Sequence, residues 1–414
     1  MNSAPTRGVF HPAFLRSALP LYRHNPGRRE RGQALLIQLI MMSAGVVVLV
    51  YGSTTEVGRA VQAENRTRAV LEYAKQALIG RALADANRPG SLPCPDGDDD
   101  GSADLFAGFN CPTYLGRLPW RTLGVGDLRD SQGERLWYAL SANFRDHPSA
   151  PAINSDAQGT LTVHSMNEAT LITTQAIAIV FAPGTALPGQ RRDDSVVVCS
   201  TTLKNARRNR CATNYLDATA NVTNTAAAGP YITASAAQHF NDQVAVILAA
   251  DLMPLLEQRV ALEVRNALLA YRASSACACY PWADGGSDGA SDRGVNRGRI
   301  PVTAALPHDW ATGMLPAYFA ANEWARVIYY AVGRTALEHA GKSCTSCMDA
   351  NLSVDGVARH DVVLITPGYA SGVRPRASWS DYLADAANRA SDDRFVTPRS
   401  QDAERNRIYT IRSP

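Results

Sequence analysis

Five aspartates crowd into one short segment of the sequence, at a spacing typical of ligands for a hard cation. The segment DGDDDGSAD begins at Asp96, so that Asp98 and Asp100 follow at alternate positions and Gly101 comes next. Alternate oxygens of such a loop converge on one calcium ion, and the glycine permits a sharp turn. Asp104 falls at the ninth position. The sequence therefore predicts a calcium site with the ligands Asp96, Asp98, Asp100 and Asp104.

The loop departs from an EF-hand, because Ala107 stands at the twelfth position, where that motif has a bidentate glutamate. A calcium ion would need another ligand, and the candidates in the following segment are Asp127, Asp130 and Glu134. The alternative is a solvated acidic turn, which the content of Asp and Gly favours by itself. A second, weaker site is predicted in the similar segment DGGSDGASD. Its candidate ligands are Asp284, Asp288 and Asp292.

Eight cysteines predict disulfide bonds, because an exported chain meets an oxidising compartment. They are Cys94, Cys111, Cys199, Cys211, Cys277, Cys279, Cys344 and Cys347. Proximity pairs the first with the second, which closes the acidic loop, and the third with the fourth. The fifth and sixth are expected to pair with the last two. The alternatives are a zinc site formed by the C-x-C and C-x-x-C pairs, and a redox-active C-x-x-C.

No catalytic motif stands in the context that it requires. The string GGSDG that begins at Gly285 matches G-x-S-x-G, but that motif needs a strand before it and a helix after it, and both sides here are loop. The sequence contains no H-E-x-x-H and no phosphate-binding glycine loop. We therefore expect no catalytic residues and no enzyme activity, with calcium as the only cofactor.

Charge separates a basic leader from the rest of the chain. Residues 1–32 carry six arginines and one glutamate, a balance of +5, which leaves −2 for the remainder of a chain whose net charge is +3. A body without a basic excess gives no electrostatic reason to bind nucleic acid.

An apolar stretch follows the leader. Residues 33–51, QALLIQLIMMSAGVVVLVY, contain no charged residue, and a helix needs ~20 such residues to cross a bilayer. The positive-inside rule puts the leader in the cytoplasm. We predict a single-pass protein of the bacterial inner membrane, whose C-terminal body is periplasmic or at the cell surface. A cleavable signal peptide is the competing interpretation, but its apolar region is typically shorter, at ~7–15 residues.

The apolar stretch runs without proline into an amphipathic segment, so that one helix is predicted over 33–85. The sequence RRERGQALLIQ and this helix together resemble the type IV pilins and the pseudopilins of type II secretion. The resemblance implies cleavage by a prepilin peptidase between Gly32 and Gln33, and assembly with other pilin or pseudopilin subunits. The glutamate of that family is replaced here by Ile37, which suits a minor or tip subunit.

The rest of the chain contains an internal repeat. The matched segments are LEYAKQALIGRA with LEVRNALLAYRA, DGDDDGSAD with DGGSDGASD, GRLP with GRIP, ERLWYAL with WARVIYYAV, and IAIVFAPG with DVVLITPG. Five landmarks in one order predict two copies of one module: a long helix, an acidic loop, a short helix and a strand. The long helix of the second copy is expected over 240–272. Strands are expected at 160–164, 176–181, 195–200 and 361–366.

The predicted fold class is α+β, with a long N-terminal transmembrane helix followed by two duplicated pilin-like modules, each a long helix plus a small antiparallel sheet. The domains are expected at 1–32 (leader), 33–85 (helix), 86–235 and 240–390 (modules) and 391–414 (polar tail). The expected function is that of a minor pilin-like or pseudopilin-like subunit at a tip or priming position. The alternative is a membrane-anchored extracytoplasmic binding protein that does not polymerise.

Overall fold

Two long helices, each followed by a series of short strands, organise the part of the chain that the structure describes. The computed structural model describes residues 56–165, 170–192, 211–219, 221–233, 240–274, 279–286, 289–290, 292, 295–302, 314–333, 351–369, 378–390, 392–398 and 406–412. The helices are α1 (Glu56–Ala84), α2 (Ala249–Ser274), α3 (Ala317–Ala321), α4 (Trp324–Val327) and α5 (Ala386–Arg389). The strands are β1 (Leu115–Arg117), β2 (Trp137–Leu140), β3 (Leu161–His164), β4 (Leu171–Ala176), β5 (Ala178–Ala182), β6 (Tyr231–Ile232), β7 (Gln243–Ile247), β8 (Arg297–Arg299), β9 (Tyr329–Val332), β10 (Leu352–Val354), β11 (Val357–Thr366), β12 (Arg394–Phe395) and β13 (Arg407–Arg412).

Two large sheets repeat the same antiparallel strand order. The first is β1-β2-β5-β7, and the second contains β8-β9-β11-β13, extended by β10 and β12. Gly116 lies opposite Tyr138 in the first sheet, and Gly298 lies opposite Tyr330 in the second. Each of these tyrosines donates its hydroxyl proton to a backbone carbonyl just before the acidic loop, at Pro93 or Pro281. Segments that match in the sequence therefore occupy equivalent strands.

The central strand of the first sheet, β5, and the second half of β11 are largely apolar because both of their faces are buried. Every residue of β5, AIVFA, is buried. Val180 packs into the core that contains the helices, whereas Phe181 packs on the opposite face against the small sheet β4-β3-β6. In the second sheet Leu364 and Val363 divide between two cores in the same way. A strand covered on both faces needs a continuous apolar run rather than alternation.

One core contains both long helices and one face of each large sheet. Leu71 and Leu78 of α1 and Leu256 and Val264 of α2 belong to a single buried cluster with side chains from both sheets. A buried polar contact adds to this packing. Glu257 of α2 accepts a hydrogen bond from the Ser155 hydroxyl at 2.6 Å. The two repeats thus share their interior.

The start of α2 is fixed by local hydrogen bonds. Asp251 accepts a hydrogen bond from the backbone N–H of Leu248 at 2.8 Å, which satisfies a donor that the first helical turn leaves unpaired. Lys75 of α1 pairs with the same carboxylate at 2.9 Å and donates to the carbonyl of Val246. The helix expected over 240–272 therefore begins later, because residues 243–247 form β7, the last strand of the first sheet.

The predicted fold class is wrong for the described residues. The long helices lie in one shared core instead of each packing on its own small pilin-like sheet, and the sheet framework curls into a half-barrel. Within the described ranges no helix is both long and apolar enough to cross a bilayer. The assignments as a single-pass inner-membrane protein and as a transmembrane pilus protein are therefore corrected. The apolar residues 33–51, on which they depended, lie outside the described residues.

Two local predictions also differ from the structure. The segment ERLWYAL, expected as a short helix, forms β2, because Trp137 and Tyr138 are needed on opposite faces of the first sheet. In the tail 391–414, expected to be polar and loosely ordered, residues 407–412 form β13 and pair with β11. The expected strands at 160–164, 176–181 and 361–366 overlap β3, β5 and β11.

The shared core predicts one cooperative unfolding transition. Leu78→Ala should lower the free energy of unfolding by about 2–4 kcal/mol, because it removes a fully buried leucine side chain. Calorimetry should show a single transition that moves as a whole, with Gln76→Ala on the exposed face of α1 as the neutral control. If only one of two separate transitions moved, the repeats would be independent domains.

Candidate metal site and candidate ligand cleft

The first acidic loop is fixed where it crosses strand β1. The backbone of Asp96 exchanges hydrogen bonds with that of Arg117, at 3.0 and 2.7 Å. Gly116 has to be glycine, because a Cβ atom there would lie 2.6 Å from the carbonyl oxygen of Asp96. In the second repeat Gly298 approaches the carbonyl oxygen of Asp284 in the same way. The matching GRLP and GRIP segments are explained by this close crossing.

Inside the loop the Asp96 carboxylate holds the turn that follows. It accepts hydrogen bonds from the backbone N–H of Gly101 at 2.7 Å and of Asp100 at 3.3 Å. Gly101 has a φ of +89°, a conformation that side chains other than that of glycine rarely adopt. The result is a tight loop whose first carboxylate points inward.

Three of the four predicted ligands converge. Carboxylate oxygens of Asp96, Asp98 and Asp104 all lie within 4.8 Å of one another, which is close enough to hold a metal ion. The fourth, Asp100, is turned outward and accepts a hydrogen bond from the Ser102 N–H at 2.6 Å. Alternate spacing therefore brings together the first, third and ninth positions, but not the fifth.

Burial and nearby negative charges raise the pKa of Asp96 and of Asp104. Burial, with the nearby charges of Asp99 and Asp100, raises the pKa of Asp96 to about 6. Burial also raises the pKa of Asp104, and the charges of Asp98 and Asp100 add to the effect. At neutral pH the ionised cluster is therefore destabilised, and either a proton or a cation would relieve it.

Asp99 is directed away from the cluster by two arginines. Its carboxylate lies 3.0 Å from Arg135 and 3.8 Å from Arg117. The Arg117 guanidinium is buried and lies over the rings of Trp137 and Tyr215, 4.3 and 4.0 Å from their centroids. The local sequence around Arg117 and Arg135 does not indicate these contacts. Their contacts span distant parts of the chain, and only the fold brings them together.

The additional ligands considered from the sequence are engaged elsewhere. Asp130 accepts hydrogen bonds from the backbone N–H groups of Gln132, Glu134 and Gly184, at 2.8 to 2.9 Å. Asp127 pairs with Arg129 and Arg135, and Glu134 pairs with Arg192. A cation at the cluster would therefore complete its coordination with water or backbone oxygens.

In the second acidic loop the carboxylates accept hydrogen bonds from backbone N–H groups of glycines. Asp284 accepts from the N–H groups of Gly286 and Gly289, and Asp292 accepts from those of Gly285 and Gly286. Asp288 lies outside the described residues. Glycine amides thus supply the hydrogen-bond donors, and the loop closes on itself.

The predicted bond between Cys94 and Cys111 is present, and it closes the first acidic loop. Cys211 and Cys279 are also disulfide-bonded. The remaining predicted pairs also involve cysteines that lie outside the described residues, namely Cys199, Cys277, Cys344 and Cys347. Those pairings therefore stay predictions.

A polar cleft of about 330 Å³ lies where the two repeats meet. Asn143, Asn154 and Asp156 line one side, and Glu323 and Arg326 of the second repeat line the other. Asp156 accepts a hydrogen bond from the hydroxyl of Tyr382 at 2.7 Å. Glu323 has a φ of +54°, a strained conformation of the kind often found at functional sites. The cleft could not be predicted from the sequence, because its two walls come from residues 167 to 183 positions apart.

Calcium binding is expected to stabilise the folded protein through Asp98. At ~100 times its dissociation constant, calcium should add about 2.7 kcal/mol to the free energy of unfolding and raise the melting temperature. Asp98→Asn should abolish the rise, because it removes one of three converging charges. Asp100→Asn, outside the cluster, is the matched control and should retain it. An equal rise in both variants would place the ion elsewhere.

The calcium-free protein should become less stable as pH rises from 4 to 6. Because the pKa of Asp96 is raised to about 6 in the folded state, the folded protein holds this proton more tightly than the unfolded chain. That stabilisation is present below pH 4 and is lost above pH 6, a change of up to about 3 kcal/mol. Chemical denaturation across this range should show the decrease, and Asp96→Asn should flatten it. An unchanged slope in the variant would contradict the assignment.

Comparisons with known proteins identify no relative of this chain: no protein-family model, no curated protein and no solved structure matches it.

Proposed function

We propose that the protein is a non-catalytic structural subunit of a filament-type assembly, similar to the minor subunits of the pilin and pseudopilin class. The observation that carries the proposal is the solvent exposure of the first half of α1. Residues 58–70 are exposed or half-exposed, apart from the buried Thr67, and the helix enters the core only from Leu71 onward. A long helix with an exposed first half is suited to packing against other subunits.

The candidate sites support a structural role more than catalysis. Among the residues that line the cleft and the acidic cluster, no nucleophilic serine or cysteine stands next to a histidine. The disulfide between Cys94 and Cys111 supports a working environment that is oxidising. A calcium ion at the loop would add rigidity to a module that has to persist in such an environment.

The cleft favours a second candidate function, a binding protein that does not polymerise. It is lined by the carboxylates of Asp156 and Glu323 and by the guanidinium of Arg326, which pairs with them at 3.5 and 3.2 Å. A small polar ligand would bind by exchanging these ion pairs for its own contacts. Its position between two repeats is common for ligand sites. In this alternative the exposed part of α1 is only a spacer.

The state of the mature N-terminus distinguishes these functions. Assembly predicts cleavage after Gly32, so that intact-protein mass spectrometry of material from the native host should show a chain that begins at Gln33. Gly32→Val should leave the leader in place, because the small residue at the cut is lost. An intact leader in the wild type would contradict the assembly proposal and favour the binding protein.

A further inference from the structure

The disulfide-closed loop carries an exposed apolar tip. Leu105 is 89% exposed and Phe109 is 69% exposed, and both belong to the uncharged run LFAGFN. Large apolar side chains at such exposure have no role in the core. A run of this kind on a folded surface is either an interaction site or a liability.

The second repeat shows that the fold does not need this tip. Eleven residues separate Asp104 from Gly116, whereas five separate the equivalent Asp292 and Gly298. The six additional residues match the length of the apolar run, and the extended loop ends in Cys111 and its disulfide. The second sheet forms the same strand order without them. The tip is therefore an addition to the module.

The tip is held in a defined conformation. The backbones of Ala107 and Asn110 exchange hydrogen bonds at 2.9 and 3.4 Å, and Arg145 donates to the carbonyl of Phe109 at 2.7 Å. The His147 ring makes edge contacts with Phe106 and Phe109, at centroid distances of 4.8 and 5.8 Å. Ordering before contact reduces the entropy that binding costs.

A second unpartnered apolar surface lies on α2. Leu255, Leu262 and Leu269 recur every seven residues and are 44%, 38% and 38% exposed. Gln258 and Asn266 lie exposed between them, so that the stripe is uncharged along its centre. We name these five residues the α2 stripe.

The two surfaces have opposite charge at their margins. The loop from Cys94 to Cys111 contains five aspartates and no lysine or arginine. Beside the α2 stripe, Arg259 is engaged by Glu263 and by backbone carbonyls, whereas Arg265 forms no ion pair within the described residues. Two acidic tips would repel one another, and so would an acidic tip and an anionic bilayer.

We infer that the apolar tip of one copy of this chain docks on the α2 stripe of a second copy. Leu105 and Phe109 would be covered by the exposed leucines, and Asp100 would face Arg265. Because tip and stripe are different surfaces, the contact is heterologous and leaves one of each free, so that further copies can add until a ring closes or an open array forms. This inference rests on the proposed function and names the contact between its subunits.

Complementation between two variants tests the contact. In analytical ultracentrifugation the full-length wild type should associate with rising concentration. A tip variant, Leu105→Ser with Phe109→Ser, and a stripe variant, Leu262→Ser with Arg265→Glu, should each self-associate at least about tenfold more weakly, the effect of losing a central contact. Mixed together, they should form 1:1 dimers, because one intact tip meets one intact stripe. Association through any other segment would be unchanged by these substitutions.

A charge exchange and a neutral variant complete the experiment. Asp100→Arg or Arg265→Glu alone should weaken association, and the two together in one chain should restore it. Val357→Ser, which alters an exposed apolar residue elsewhere, should associate like the wild type. Unchanged association in the tip variant, or a mixture that stays monomeric, would overturn the inference. So would a monomeric wild type that sediments with phosphatidylserine vesicles through its tip.

The outcome is separable from that of the proposed function. Cleavage after Gly32 combined with failed complementation would refute the contact and leave the filament proposal standing. An intact leader would refute the filament proposal whatever the variants do.

Discussion

The packing of the second half of α1 and of one face of α2 against the two large sheets is the constraint on which the rest of the structure depends. Each sheet presents one apolar face to a common interior, and Leu78 of α1 and Leu256 of α2 fill that interior together. Neither repeat has a complete core without the other. This explains why the contact of Glu257 with Ser155, which joins the two repeats, is buried and hydrogen-bonded. It also fixes the two walls of the polar cleft relative to each other.

Some features could be predicted from the sequence because they are local. The acidic cluster and the bond between Cys94 and Cys111 lie within one short loop, so that spacing alone indicated them. The helix faces could not be predicted so directly. Leu71 and Leu262 match in the aligned sequences, yet Leu71 is 3% exposed and Leu262 is 38% exposed. Identical residues at matching helical positions therefore do not determine which face of a helix is buried.

Other features depend on partners far away in the chain. The apolar run that contains Trp137 is compatible with a short helix or with a strand. Its pairing with β5 in the folded protein makes it a strand. Arg117 looks like a surface cation in the sequence, but it is buried between the rings of Trp137 and Tyr215. The periodicity of hydrophobic residues in a sequence does not reveal a contact between residues almost 100 positions apart, such as Arg117 and Tyr215. Such contacts are also the ones that hold the acidic loop on the first sheet.

The two acidic loops occupy equivalent positions in the repeats, but their carboxylates are stabilised in different ways. In the second, backbone N–H groups of glycines donate hydrogen bonds to the carboxylates of Asp284 and Asp292. In the first, Asp98 stands where the second has a glycine, and three carboxylates face one another. Added negative charge without an added donor destabilises a loop unless a proton or a metal ion enters. Since only this loop also carries the apolar tip, a cation that rigidifies the loop would hold the tip in place as well.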